Sequence, residues 1–264
     1  MTATVTVGVS LKTYFGHRQA AGWCERVAEL ARSHHAVASG DVDLFVLPTY
    51  LQILPALRAF ADTTVRVGAQ DVAGHDPGAF TGEVSAAELA EVGAELAEVG
   101  HAERRRLFGE TDVDVAAKSA AALRQGLTPV LCVGETERLA PDAAAAATVA
   151  QLRGGLDGAP PGTVIVAYEP VWAIGAAEPA PAPHIAAVGR ALRAALDGLA
   201  ERAGSAVVYG GSAGPGLLTE LTAVDGAVDG LFLGRFAHQP GALAAVLDEA
   251  AALAAGRAPA PDPA

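Results

Sequence analysis

The chain has 264 residues, 51% of them hydrophobic, but only seven Phe, four Tyr and two Trp, so its core must be aliphatic. A formal net charge of −12 argues against nucleic acid, which demands a clustered basic surface. Two cysteines, Cys24 and Cys132, are too few for a disulfide framework or a metal site, no leader-like start is visible, and no segment reaches the roughly 18 apolar residues of a membrane span, so a soluble, unexported, cytoplasmic protein is expected.

Strand-like and helix-like segments alternate from end to end with no shift in composition. The predicted strands are Thr4 to Ser10, Val42 to Leu47, Val65 to Gln70, Leu96 to Gly100, Pro129 to Val133, Thr163 to Tyr168, Ala206 to Tyr209 and Gly230 to Gly234, each followed by a helix-like stretch. Eight such units in about 250 residues predict an α/β fold, a closed eight-stranded parallel (β/α)8 barrel, rather than an open sheet. It is expected as one domain over 1–255, with a Pro/Ala-rich disordered tail over 256–264.

The fourth strand rests on context. Ala87 to Gly93 and Ala94 to Gly100 are the same heptapeptide twice, A-E-L-A-E-V-G. The first copy follows Ser85, a plausible N-cap, and ends in a glycine suited to a helix C-terminus, so it reads as helix. The second lies between that helix and the polar G-H-A-E-R-R, so it reads as strand. The basic cluster Arg104-Arg105-Arg106 is bracketed by Glu103 and Glu110 and reads as an ion-paired helix face.

Polar groups gather at the carboxyl ends of these strands, the face where barrel enzymes carry their active sites. Strand one ends in Ser10-Leu11-Lys12 and strand four is followed by His101-Ala102-Glu103. Strand six leads to Glu169, and strands seven and eight to Gly210-Gly211-Ser212 and Gly234-Arg235. Alone, Glu169 reads equally well as a helix-capping acid, Lys12 as a solvated surface charge and His101 as a turn residue. Together, with glycines that let backbone N–H groups reach an anion, they describe a phosphate-binding acid/base site. Pro170 and Trp172 precede the small residues Gly175 to Ala177, the composition of a lid over Glu169. His17, His34, His35, His75, His184 and His238 belong to no constellation and read as surface or capping residues.

G-A-F-T-G-E (78–83), G-H-A-E-R-R (100–105), L-C-V-G-E-T (131–136), A-Y-E-P-V-W-A-I-G (167–175) and Y-G-G-S (209–212) stand in an order and spacing that resembles the triosephosphate isomerase family over essentially the whole chain. The resemblance implies isomerisation of a small phosphorylated sugar through an enediolate, without metal or other cofactor. Glu169 is then the base, His101 the electrophile and Lys12 the fixed cation. It further implies that Glu103 positions Lys12, that Cys132 packs behind the base, and that Ser10, Gly175, Gly211, Ser212, Gly234 and Arg235 hold the substrate and its phosphate. Thr81 matches the loop through which family members dimerise, so a homodimer is expected.

The main reading is interconversion of dihydroxyacetone phosphate and glyceraldehyde 3-phosphate, as in glycolysis and gluconeogenesis. Departures from the family pattern fall on substrate contacts. Triose-acting members usually carry Asn at the position of Ser10, Ser at that of Ala102 and Gly at that of Arg235, and their lid Lys is here replaced by an acidic segment, Ala176 to Ala180. Arg235 either contacts phosphate or turns outward to an acid. Ser10, Ala102 and the Gly-Arg ending resemble a paralogous branch acting on erythrulose phosphates, the alternative reading. A non-catalytic sugar-phosphate-binding barrel would lose the base or the lysine, and a Schiff-base aldolase would need a neutral Lys12.

Overall fold

The computed structural model describes residues 4–224 and 228–257. Its strands are β1 (Val5–Ser10), β2 (Val42–Leu47), β3 (Arg66–Ala69), β4 (Leu96–Val99), β5 (Thr128–Val133), β6 (Ile165–Tyr168), β7 (Ala206–Tyr209) and β8 (Gly230–Leu233). Each is parallel to its neighbours in chain order, and β8 pairs with β1 to close the barrel. The helices are α1 (His17–Ser33), α2 (His35–Ala38), α3 (Tyr50–Ala59), α4 (Ala86–Glu91), α5 (Ala102–Phe108), α6 (Asp112–Arg124), α7 (Pro141–Gly155), α8 (Ala182–Asp197), α9 (Leu217–Ala223) and α10 (Pro240–Arg257). Every expected strand is present, with ends moved by no more than two residues.

The duplicated heptapeptide takes the two structures assigned to it. In the first copy, Ser85 Oγ accepts the Glu88 N–H at 3.2 Å to cap α4, and Gly93 leaves the helix at φ +95°. The second copy is held as β4 by ladders to β3 and β5. Tertiary pairing decides where propensity is identical.

One group of apolar side chains fills the barrel interior, among them Phe45, Leu96, Val130, Ile165, Val208 and Phe232. Phe45 and Phe232 stack with centroids 5.8 Å apart, and they fit because β1 presents Gly8 to them. A Cβ at Gly8 would lie 2.6 Å from Phe45 Cε2 and 2.7 Å from Phe232 Cδ2. The larger core lies between strands and helices. There Trp23 Nε1 donates to Ala237 O at 2.9 Å, pinning α1 to the segment that follows β8.

The expected boundary at residue 255 needs correction. Gly256 and Arg257 complete α10, where Arg257 Nη2 donates to Val228 O at 3.1 Å and satisfies a loop carbonyl. Residues 258–264 lie outside the described residues. Among the described residues no helix is long and apolar enough to cross a membrane.

Candidate active site

Strand alternation turns the last inward residues of the barrel toward its C-terminal face, and the loops that follow carry the polar groups. They border a cleft of ≈ 1190 Å³ whose lining includes Ser10, Lys12, Cys132, Glu169, Ser212 and Arg235.

Lys12 follows β1 with φ +46°, a conformation that costs a non-glycine residue about 1–3 kcal/mol unless its surroundings enforce it. Gln70, at the end of β3, supplies the constraint: its Nε2 donates to both Lys12 O and Leu47 O at 2.9 Å. The ammonium is thereby aimed at Glu103, to whose Oε1 it donates at 2.8 Å. Burial alone lowers the lysine's pKa, but Glu169, Glu103 and Glu98 outweigh it and hold the group above its ordinary value. Glu103 is drawn below the usual carboxylate range, because Lys12 outweighs its partial burial. A charged lysine is an electrostatic anchor and a poor amine nucleophile, which disfavours the Schiff-base reading.

Gly100 turns the chain at φ +71° out of β4, and His101 caps α5. The His101 Nδ1 accepts the Glu103 N–H at 3.1 Å, so the ring proton resides on Nε2. That local bond sets the tautomer; α5 has only seven residues and contributes a weak dipole. Nε2 lies 3.3 Å from Lys12 Nζ and 3.3 Å from Glu169 Oε2.

Glu169 follows β6, its N–H held by Val133 O at 2.8 Å, and its side chain is buried. The carboxylate rests on Gly210, where a Cβ would stand 2.5 Å from Oε1. Oε2 is buried, and its 3.3 Å contact with His101 Nε2 does not meet hydrogen-bond geometry. Buried polar atoms are ordinarily well hydrogen-bonded, so a carboxylate oxygen held this loosely beside a cleft is suited to accept a proton.

Opposite this acid/base group, Gly175 (φ +72°), Ser212 (φ +52°) and Gly234 surround the mouth of the barrel near β7 and β8, with Gly211 packed against the Tyr209 hydroxyl. Arg235 is exposed, and its Nη2 comes within 3.6 Å of where a Cβ on Gly175 would be. Among the described residues no acid lies within ion-pairing distance of Arg235, so the outward pairing considered from sequence is absent. In the basic cluster, Arg104 pairs with Asp71 and Glu110 and Arg105 with Asp112, as expected. Arg106 departs from that reading: it lines the cleft with no acid in ion-pairing range among the described residues.

The segment after Glu169 is tied at both ends. Trp172 Nε1 donates to Glu135 Oε1 at 2.8 Å, Ala180 N–H donates to Tyr209 Oη at 2.9 Å, and the Ser212 hydroxyl lies 2.8 and 2.9 Å from the carbonyl oxygens of Ala173 and Ala176. His184, expected at the surface, is instead buried, with Nε2 3.2 Å from Glu135 Oε1 and 3.0 Å from the Tyr168 hydroxyl. Its partner carboxylate is 49 residues away in sequence, so no local pattern announces the pair.

Sequence reasoning also passed over Glu98. This inward acid of β4 is 3% exposed, and Ser10 Oγ donates to its Oε2 at 3.2 Å while Cys132 Sγ lies 3.8 Å from Oε1. Burial, helped by Glu169 and opposed by His101 and Lys12, pushes its carboxyl up to about 7. Cys132 is an inert thiol, its pKa raised well above the ordinary value by burial and then by Glu169 and Glu98. An acid within a four-residue strand was the available signal. Thr81 stands apart from the cleft, exposed in the loop between β3 and α4, where His75 and Phe80 stack at 4.4 Å.

A closed parallel barrel with a charged lysine, an imidazole Nε2–H and a loosely held carboxylate oxygen at its C-terminal face has the equipment of an acid/base enzyme for a small anion. The sequence profile of the family described as Triosephosphate isomerase matches residues 5–250, and the chain belongs to that family of isomerases. It is 50% identical over 250 residues to the L-erythrulose-1-phosphate isomerase of Pectobacterium atrosepticum, covering 93% of this chain and 95% of the relative. It is 44% identical over 199 residues to the triosephosphate isomerase of Thermus thermophilus, covering 72% and 78%. The crystal structure of triosephosphate isomerase from Bartonella henselae superposes with a TM-score of 0.77 at 26% identity, over 93% of this chain and 98% of that one.

Proposed function

We propose that this isomerase acts on L-erythrulose 1-phosphate in preference to dihydroxyacetone phosphate. The observation that carries the choice is the 50% identity to an L-erythrulose-1-phosphate isomerase along nearly the full length of both chains. The site supports it. Ser10 and Ala102 are small residues on the cleft wall, and Arg235 adds a guanidinium with no acid in ion-pairing range among the described residues.

L-Erythrulose 1-phosphate is dihydroxyacetone phosphate with a hydroxymethyl group on the carbon that loses its proton. In our reading Glu169 Oε2 removes the proton from C3, electrons move to the C2 carbonyl, and the resulting enediolate oxygens face Lys12 Nζ and His101 Nε2–H. Return of the proton to C2, with transfer of the hydroxyl proton between the two oxygens through His101, yields the ketose whose carbonyl has moved one carbon, erythrulose 4-phosphate. Lys12 stabilises the developing charge as a fixed cation, and the segment 170–180 excludes water when substrate is bound. Gly175, Gly211, Ser212, Gly234 and Arg235 hold the phosphate, and Glu103 orients Lys12. No cofactor enters this scheme.

The same reading makes the enzyme cytoplasmic and homodimeric. The exposed apolar side chains Tyr50, Leu51, Leu54 and Phe80 come from the segments after β2 and β3, which include the Thr81 loop, and a partner subunit would cover them. Proton NMR of L-erythrulose 1-phosphate incubated with the enzyme in D2O tests the reaction. Deuterium at the former C2 or C3 position together with erythrulose 4-phosphate is the expected outcome. An unchanged spectrum under conditions that convert dihydroxyacetone phosphate would return the assignment to the triose reaction.

A further inference from the structure

Glu98 is a carboxyl group inside the barrel for which the reaction as derived has no use. It is 3% exposed, and among the described residues it has no lysine, arginine or histidine within ion-pairing distance. Burying an acid without a cation is costly, and its inward neighbours on other strands, Val130 and Ile165, show that an apolar side chain suits this interior. Its two contacts, Ser10 and Cys132, both line the cleft. Glu98 therefore touches the site from beneath, through one hydroxyl and one thiol.

The direction of the Ser10 hydroxyl is the consequence. When Glu98 is ionised, Ser10 Oγ gives its only proton to Glu98 Oε2 at 3.2 Å, which leaves the serine lone pairs for a donor in the cleft. A substrate with its phosphate beside Ser212, Gly234 and Arg235 and its reacting carbon at Glu169 carries its remaining substituent away from the phosphate. In a triose phosphate that substituent is hydrogen; in a four-carbon ketose phosphate it is CH2OH, a hydroxyl donor.

We propose that Glu98 is a positioning residue for substrate length: it fixes Ser10 as a hydrogen-bond acceptor for the terminal hydroxyl of a four-carbon ketose phosphate. Cys132 completes the floor as a neutral, compact wall. The proposal rests on the four-carbon reading above, and adds the device by which the site reads the extra carbon. A glutamine at 98 is as bulky but offers both a donor and an acceptor, so it no longer holds the serine proton in one direction.

The test is steady-state kinetics above pH 8, where Glu98 is ionised, of wild type, Glu98→Gln, Ser10→Ala and the double variant on L-erythrulose 1-phosphate and on dihydroxyacetone phosphate. Loss of one hydrogen bond to a charge-fixed acceptor corresponds to about 10- to 100-fold. Each single variant is expected to lose that much kcat/KM on the four-carbon substrate, mostly in KM, and less on the triose phosphate, so that the ratio of the two falls. The double variant is expected to be no worse than the poorer single one, because both break the same contact. Ser10→Ala leaves Glu98 in place, so it reports on the device independently of any change in stability in Glu98→Gln. Equal losses on both substrates, an unchanged substrate ratio, or additive effects would overturn the proposal while leaving the four-carbon reading intact. A wild type that prefers the triose phosphates overturns both.

Discussion

Glu169 owes its reach to two backbone features, the turn after β6 and the bare Gly210 beneath its carboxylate. Shortening the side chain withdraws the base by about 1 Å without disturbing either, so Glu169→Asp should lower kcat by about two to three decades with an unchanged circular-dichroism spectrum. Near-normal turnover would remove Glu169 from the mechanism. Arg235 has no acid to hold it among the described residues, so Arg235→Gly should raise KM for phosphorylated substrate by about 10- to 100-fold, the equivalent of about 1.5–3 kcal/mol for a charged hydrogen bond, and leave kcat nearly unaltered. An unaltered KM would make the arginine a bystander.

Glu98 makes a prediction in pH. Its carboxyl sits at about 7 in the folded chain, against an ordinary 4.5, so the native state binds a proton more tightly than the unfolded one. Stability falls as pH rises from about 4.5 to about 7, by about 3 kcal/mol at about 1.4 kcal/mol for each pH unit. Glu98→Gln removes that penalty. It should melt above wild type at pH 8, with the advantage vanishing by pH 4.5; a difference independent of pH would refute the account of this acid. Glu98 escaped notice because it occupies the same place in its heptapeptide as Glu91, an ordinary exposed helix acid in the first copy. Lys12, His101 and Glu169 were legible for the opposite reason, each being a polar residue just past an apolar strand. His184 and Glu135 meet only because β5 and α8 close over the same strand, which no local pattern encodes.

At the scale of elements, the strand order and the helix that follows each strand were readable from alternation and turn residues. The duplicated heptapeptide marks where local reading stops and neighbours decide. Strand ends slipped by one residue at Gly100 and Gly234, where backbone angles leave the extended region before the apolar pattern does. α10 outran its expected end because Arg257 finds a carbonyl at the barrel's far side. The segment between Glu169 and α8 is held to β7 by the Tyr209 hydroxyl, which accepts the Ala180 N–H in an otherwise buried contact. Tyr209→Phe deletes that one hydrogen bond, worth about 1 kcal/mol, and should cost about fivefold in kcat/KM while the melting temperature hardly moves. A variant with wild-type kinetics would mean that this tie plays no part in closing the segment over substrate.

Across the whole molecule, an acidic chain of net charge −12 concentrates Lys12, Arg106 and Arg235 around one cleft, a local field opposed to the global one and suited to a small anion. The dimer expected from the Thr81 loop is open to sedimentation analysis: wild type should sediment as a dimer, and replacing Phe80 by Asp should shift it toward monomer. Substrate length is decided by kcat/KM of the wild-type enzyme for L-erythrulose 1-phosphate against dihydroxyacetone phosphate and glyceraldehyde 3-phosphate, measured side by side at one pH and ionic strength. The four-carbon substrate should give the higher value by at least about tenfold, the scale of one well-placed hydrogen bond. A higher value for either triose phosphate would contradict it.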